Sequence, residues 1–104
     1  MNTETVHPAL EMPLVQPEFD KQQLPPLLSE FRASTRRAQD KSLATRLEEE
    51  VLQCERPYIT RRTIVRLAKW CKTDGPAYQG GMVVARKISL LIFGRVLRRE
   101  DFGV

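Results

Sequence analysis

The chain is poor in the side chains that carry chemistry. Of its 104 residues one is histidine, His7, and two are cysteines, Cys54 and Cys71, with no C-x-x-C pair. A zinc site, a Ser–His dyad or a Cys–His dyad needs its groups held together on a framework. Here each would have to draw a lone imidazole out of a proline-rich segment. The phosphate-cradling patterns G-x-x-x-x-G-K-[ST] and G-x-G-x-x-G are missing as well. Gly80-Gly81, just ahead of an expected helix, reads as a flexible turn. Glu48, Glu49 and Glu50 are consecutive, so at about 100° per residue they fan out around a helix and cannot converge on one metal ion or one bond. No catalytic residue, metal ligand, cofactor or small-molecule substrate is assigned, and the chain is not expected to be an enzyme.

Long apolar runs are also lacking. The longest uncharged apolar stretch, Ile88 to Phe93, is broken by Ser89 and is far too short to span a bilayer. The first residues show no basic stretch followed by an apolar one, so no secretory leader is expected. These absences point to a cytoplasmic protein with no membrane partner. In a reducing compartment Cys54 and Cys71, each on the apolar face of an expected helix, read as small buried hydrophobes and not as a disulfide.

Proline is unevenly spread. Five of the seven prolines lie at positions 8, 13, 17, 25 and 26. That density denies the segment a helix, so residues 1–25 are expected to form a flexible, extended arm and residues 26–104 a helical domain. Leu14 and Phe19 in the arm are candidate partner-binding residues, because a solvated linker has no need of them.

From residue 26 onward the apolar period is helical. Leu27, Phe31 and Ala38 share a face, with Arg32 and Arg36 opposite, which predicts a helix over 26–38. Leu43, Leu47, Val51 and Cys54 form a second face that does not line up with the first. The chain is therefore expected to turn between Gln39 and Ser42, with Asp40 or Ser42 as cap, and to resume as a helix over 42–55 that carries an Arg46–Glu50 pair. Pro57 closes it. Ile64, Leu67, Ala68 and Cys71 give the clearest buried stripe, a helix over 60–73 capped by Thr60. The last segment, 82–99, is apolar nearly all round between Ile88 and Leu97 and is expected to be a helix buried on more than one side, with Arg95, Arg98 and Arg99 in its last turns. The fold class is all-α, a small bundle of about four helices with an N-terminal arm.

Charge is one-sided. Residues 1–55 hold 6 basic and 10 acidic residues, whereas residues 56–104 hold 11 basic and 3 acidic residues. Eight of those eleven cations are arginine, whose fork suits phosphate and carboxylate. On the third helix Arg62, Arg66 and Lys69 lie opposite the apolar stripe, with Trp70 at the border and Arg61 and Lys72 widening the face. Arg86 and Lys87 extend it. These eight residues are the candidate contacts to DNA or RNA, in a small regulatory protein that neutralises phosphates. The plain alternative is a solubilising face, or one paired with the acidic second helix. A chain of this size has a thin core, so a homodimer or a protein partner is expected. A second functional reading is therefore a helical adaptor, inhibitor or chaperone-like module that binds through Ile88, Leu91 and Phe93 together with Leu14 and Phe19.

Overall fold

The computed structural model describes residues 15–55, 58–72 and 79–98. All regular structure among them is helical: α1 (Leu24–Ser34), α2 (Ala38–Leu47), α3 (Arg61–Cys71) and α4 (Gln79–Phe93). The chain is an all-α bundle. A 3₁₀ turn, Lys21–Gln23, leads into α1, and a π-helical turn, Glu48–Leu52, prolongs α2. α4 packs against α1 and α3, and α2 closes the other side by packing on the same two helices.

Each helix turns its apolar stripe to one shared core. α1 contributes Leu24, Leu28 and Phe31, α2 and its π turn Leu43, Ala44, Leu47 and Val51, and α3 Ile64, Leu67, Ala68 and Cys71. α4 adds Val84, Ala85, Ile88, Ile92 and Phe93. The apolar stripe expected on the third helix is thus buried as its spacing requires.

Several boundaries differ from the sequence expectation. The first turn falls at Thr35–Arg37, not between Gln39 and Ser42. Ser34 Oγ donates to the Glu30 carbonyl at 2.8 Å, and Thr35 adopts φ −123°, ψ 152°, so the chain leaves the helix there. Backbone-seeking hydroxyls of this kind compete with helix propagation. Ala38 consequently opens α2 and does not face inward from α1. Asp40 caps nothing with its side chain; it is buried, and its Oδ1 accepts the Trp70 indole N–H at 3.2 Å. Arg46 does not hold Glu50, whose carboxylate is taken by Thr60 and Thr63; the neighbouring Glu48 pairs with Arg32 of α1 at 3.0 Å. The second helix stops at Leu52, three residues early, which leaves Cys54 half-buried beyond it with its thiol donating to the Glu49 carbonyl at 3.3 Å. Both cysteines are free thiols.

α4 starts earlier and ends earlier than its apolar period implies. Gly80 and Gly81 lie inside its first turn and not in a loop. At its other end Gly94 has φ +76°, and its N–H reaches back to the Leu90 carbonyl at 2.9 Å. A left-handed glycine with that bond is a common helix stop. Arg95 and Arg98 therefore follow the helix and do not sit in its last turns; Arg99 lies outside the described residues. Ser89, fully buried, fixes this exit by donating to the Arg95 carbonyl and accepting from Leu97 N–H, which returns Leu97 to the core.

Residues 15–25 were expected within the arm. They lie on the body: Gln16 N–H donates to the Ile92 carbonyl at 2.8 Å, and its side-chain amide donates to the Leu90 and Leu91 carbonyls. Gln16 thereby satisfies carbonyls that the C-terminal end of α4 leaves open. Val15 and Phe19 pack against the core beside it.

Candidate nucleic-acid interface

The candidate surface is the outward side of α3, and its position is set from below. Thr60 Oγ1 accepts the Thr63 N–H, the usual N-cap geometry. Glu50, on the π turn, then grips the start of the helix. Its Oε1 accepts Thr60 N–H at 2.7 Å, and its Oε2 accepts the Thr63 hydroxyl at 2.9 Å and the Thr60 hydroxyl at 3.3 Å. A carboxylate at a helix N-terminus also complements the helix dipole. One acidic residue of the second helix thus serves to orient the basic one.

With the start fixed, the helical period decides the rest. Thr63, Ile64, Leu67, Ala68, Trp70 and Cys71 go inward. Arg61, Arg62 and Lys69 are exposed, Arg66 is half-buried, and Lys72 is exposed at the helix end. Trp70 is not on the basic border as expected. It is 6% exposed, and its ring meets Phe31 edge-on at 5.2 Å. The position after Lys69 on the helical wheel is far enough round to enter the core, and an indole that finds a carboxylate for its N–H is readily buried. Trp70 is therefore placed to support the surface and not to stack on a base.

Arg86 joins α4 to this surface. Its Nε donates to the Cys71 carbonyl at 2.8 Å, at the C-terminal end of α3, where a cation is favoured. Lys87 is exposed on the next position of α4. Between Tyr58 and Lys72 and between Gln79 and Arg98 the sequence holds nine basic residues and no acidic one. The side chains expected to gather do so in part: Arg62, Arg66 and Lys69 share a face, Arg61 and Lys72 flank it, and Arg86 meets its end.

Below that surface the Cys71 thiol is pushed up to about 11 from its ordinary value of 9.0, because burial disfavours the thiolate. The Ser89 hydroxyl and the Arg86 charge pull the other way and do not prevail. Cys71 packs in the core, where burial disfavours the thiolate that nucleophilic chemistry needs.

The expected apolar partner-binding set is divided by the fold. Ile88 is fully buried and Phe93 is 8% exposed, both in the molecule's own core. Phe19 is half-buried against that core, and Leu14 lies outside the described residues. Leu91 is half-buried beside an open groove that it shares with Leu90, Leu27 and Pro26. Outward apolar groups on α4 are Val83 and Leu90, which the all-round apolar pattern did not single out. Among the described residues no group of three or more His, Cys, Asp or Glu side chains could hold a metal ion, and no helix is long and apolar enough to cross a membrane. No family model, curated protein or solved structure matches the chain.

Proposed function

We propose that this protein is a small non-enzymatic nucleic-acid-binding protein that lays the outer face of α3 along a phosphate backbone. The observation that carries the reading is the outward face of Arg62, Arg66 and Lys69, flanked by Arg61 and Lys72, on a helix whose sequence has no carboxylate. Arg86 prolongs the face at the α3 C-terminus, and Lys87 stands beside it on α4. Binding proceeds by charge neutralisation and counterion release, with base identity read weakly, since the one aromatic of α3 is in the core.

The experiment is a fluorescence-anisotropy titration of labelled duplex DNA, single-stranded DNA and RNA over a salt series. Affinity that falls steeply with salt supports the reading. No binding to any of the three at low salt overturns it. The adaptor reading has less support, because Ile88 and Phe93, two of the apolar anchors it required, are taken up by the bundle itself.

A further inference from the structure

α1 and α4 run antiparallel. Gly80, at the start of α4, lies against Ser34 at the end of α1, and at the other end a groove joins Gln23 and Leu27 to Leu90 and Leu91. The outward side of this pair carries an apolar strip. Leu90 is 49% and Val83 45% exposed on α4, and half-buried Leu27 and Leu91 line the groove between the helices. Val83, Lys87 and Leu90 recur at i, i+4 and i+7, so they share one side of α4. Lys87 lines the groove toward α1, whereas Arg86, one position earlier, reaches α3. On α1, exposed Glu30 follows Leu27 by three residues on the same side, and the antiparallel pairing sets it level with the stretch from Val83 to Lys87. Neither Glu30 nor Lys87 is in an ion pair among the described residues.

This face is complementary to itself. A two-fold interface sets residue i of one copy against residue j of the other, and j against i. One anion and one cation beside the same apolar strip meet that condition, whereas a partner of uniform charge would set like charge against one of the two. We infer that the outward face of α1 and α4 is the interface of a homodimer. A two-fold axis running along the helices places α1 of one copy across from α4 of the other at the same height. Glu30 then meets Lys87 of the partner subunit, and Lys87 meets Glu30 of the partner subunit. Leu27, Val83 and Leu90 of both copies leave water between these two ion pairs, which is the driving term. The body is small and its core correspondingly thin, a condition that pairing relieves. α4 packs on α1 and α3, and α2 on the same two, so the α1–α4 seam lies opposite the α2–α3 seam. The outer face of α3 therefore stays open in the dimer, and the inference is independent of the nucleic-acid reading.

The experiment is sedimentation equilibrium of the full chain from about 1 to 200 µM. A mass of twice 12.0 kDa is expected over the upper part of that range. Leu90→Asp puts a charge at the interface twice over and should raise the dimer Kd by at least about a hundredfold. Its Tm measured at a concentration where both proteins are monomeric should change little, because Leu90 is half-exposed in one copy. Glu30→Lys and Lys87→Glu each set like charges across the interface and should each weaken pairing by at least about tenfold. Mixing these two single variants should restore association as a heterodimer, since each lysine then faces a glutamate of the other chain. An ion pair within one chain would not give that rescue. R62A/R66A should leave the dimer intact. A monomer at every concentration overturns the inference and leaves the face to residues 1–14 of the same chain or to a different protein. A dimer that Leu90→Asp and both charge variants leave unchanged overturns the choice of face. Charge variants that fail alone and also fail when mixed overturn the two-fold arrangement.

Discussion

Trp70 Nε1 donates to Asp40 Oδ1 at 3.2 Å, a hydrogen bond that joins α3 to the first turn of α2 across the edge of the core. Both side chains are largely buried, Asp40 at 7% and Trp70 at 6% exposure. Asp40→Ala removes the carboxylate that accepts the indole N–H and should cost about 1–3 kcal/mol. Trp70→Phe keeps an aromatic ring against Phe31 but strands a buried carboxylate, and should cost at least as much. Urea unfolding followed by circular dichroism reads both. Losses under about 0.5 kcal/mol would mean the bond is not formed in solution.

Gly80 and Gly81 make a paired test with opposite signs. Alanine in a helix is favoured over glycine by about 0.8–1.0 kcal/mol. At Gly80 an added Cβ meets only Ser34, with Oγ at 3.6 Å, ordinary van der Waals spacing, so Gly80→Ala should stabilise by up to about 1 kcal/mol. At Gly81 the same atom would lie 2.5 Å from a ring carbon of Trp70. Gly81→Ala should therefore destabilise by about 1–3 kcal/mol despite its better helix propensity. Thermal melts of the two variants check the signs.

Glu50 is the brace that sets α3. Replacing it by alanine leaves the Thr60 N–H and the Thr63 hydroxyl without their acceptor. A cost of about 1–3 kcal/mol is expected. Glu49→Ala, an exposed neighbour whose side chain has no such role, should stay within about 0.5 kcal/mol. Chemical denaturation of the two variants side by side makes the comparison.

Cys71 should be the slower of the two thiols toward an aromatic disulfide reagent at pH 8, and half-buried Cys54 the faster. Its raised pKa also links to stability. The native state keeps a proton that the unfolded chain releases first, so the contribution is whole below pH 9.0 and declines as pH rises toward about 11. Cys71→Ala should flatten the alkaline limb of a Tm-against-pH profile.

The α3 face predicts a salt signature. Every phosphate left without its cation should reduce the slope of log K against log salt by about 0.9 on duplex DNA. R62A/R66A should therefore lower the slope by about 2 and weaken binding to all sequences alike, with Tm changed little because Arg62 is exposed and Arg66 half-buried. Anisotropy titrations at several salt concentrations measure it; an unchanged slope would place the phosphates elsewhere.

Helix placement was legible wherever the apolar period was clean. Ile64, Leu67, Ala68 and Cys71 face inward as their spacing requires, and Arg62 and Lys69 face out. Boundaries were less legible, because the Ser34 hydroxyl bond to the Glu30 carbonyl and the extended backbone of Thr35 carry no periodic signal.

By itself, then, the sequence determined the four amphipathic segments, the uneven charge and the poverty of catalytic groups, because helical period and residue chemistry are local properties. Only the tertiary structure decided that Ile88 and Phe93 belong to the molecule's own core, that Trp70 turns inward to Asp40, that Glu50 braces α3, and that Gln16 closes the end of α4. Each of those depends on which surfaces meet across long stretches of chain. A helical wheel gives the direction a side chain leaves its own axis, and the partner waiting there is fixed by packing alone.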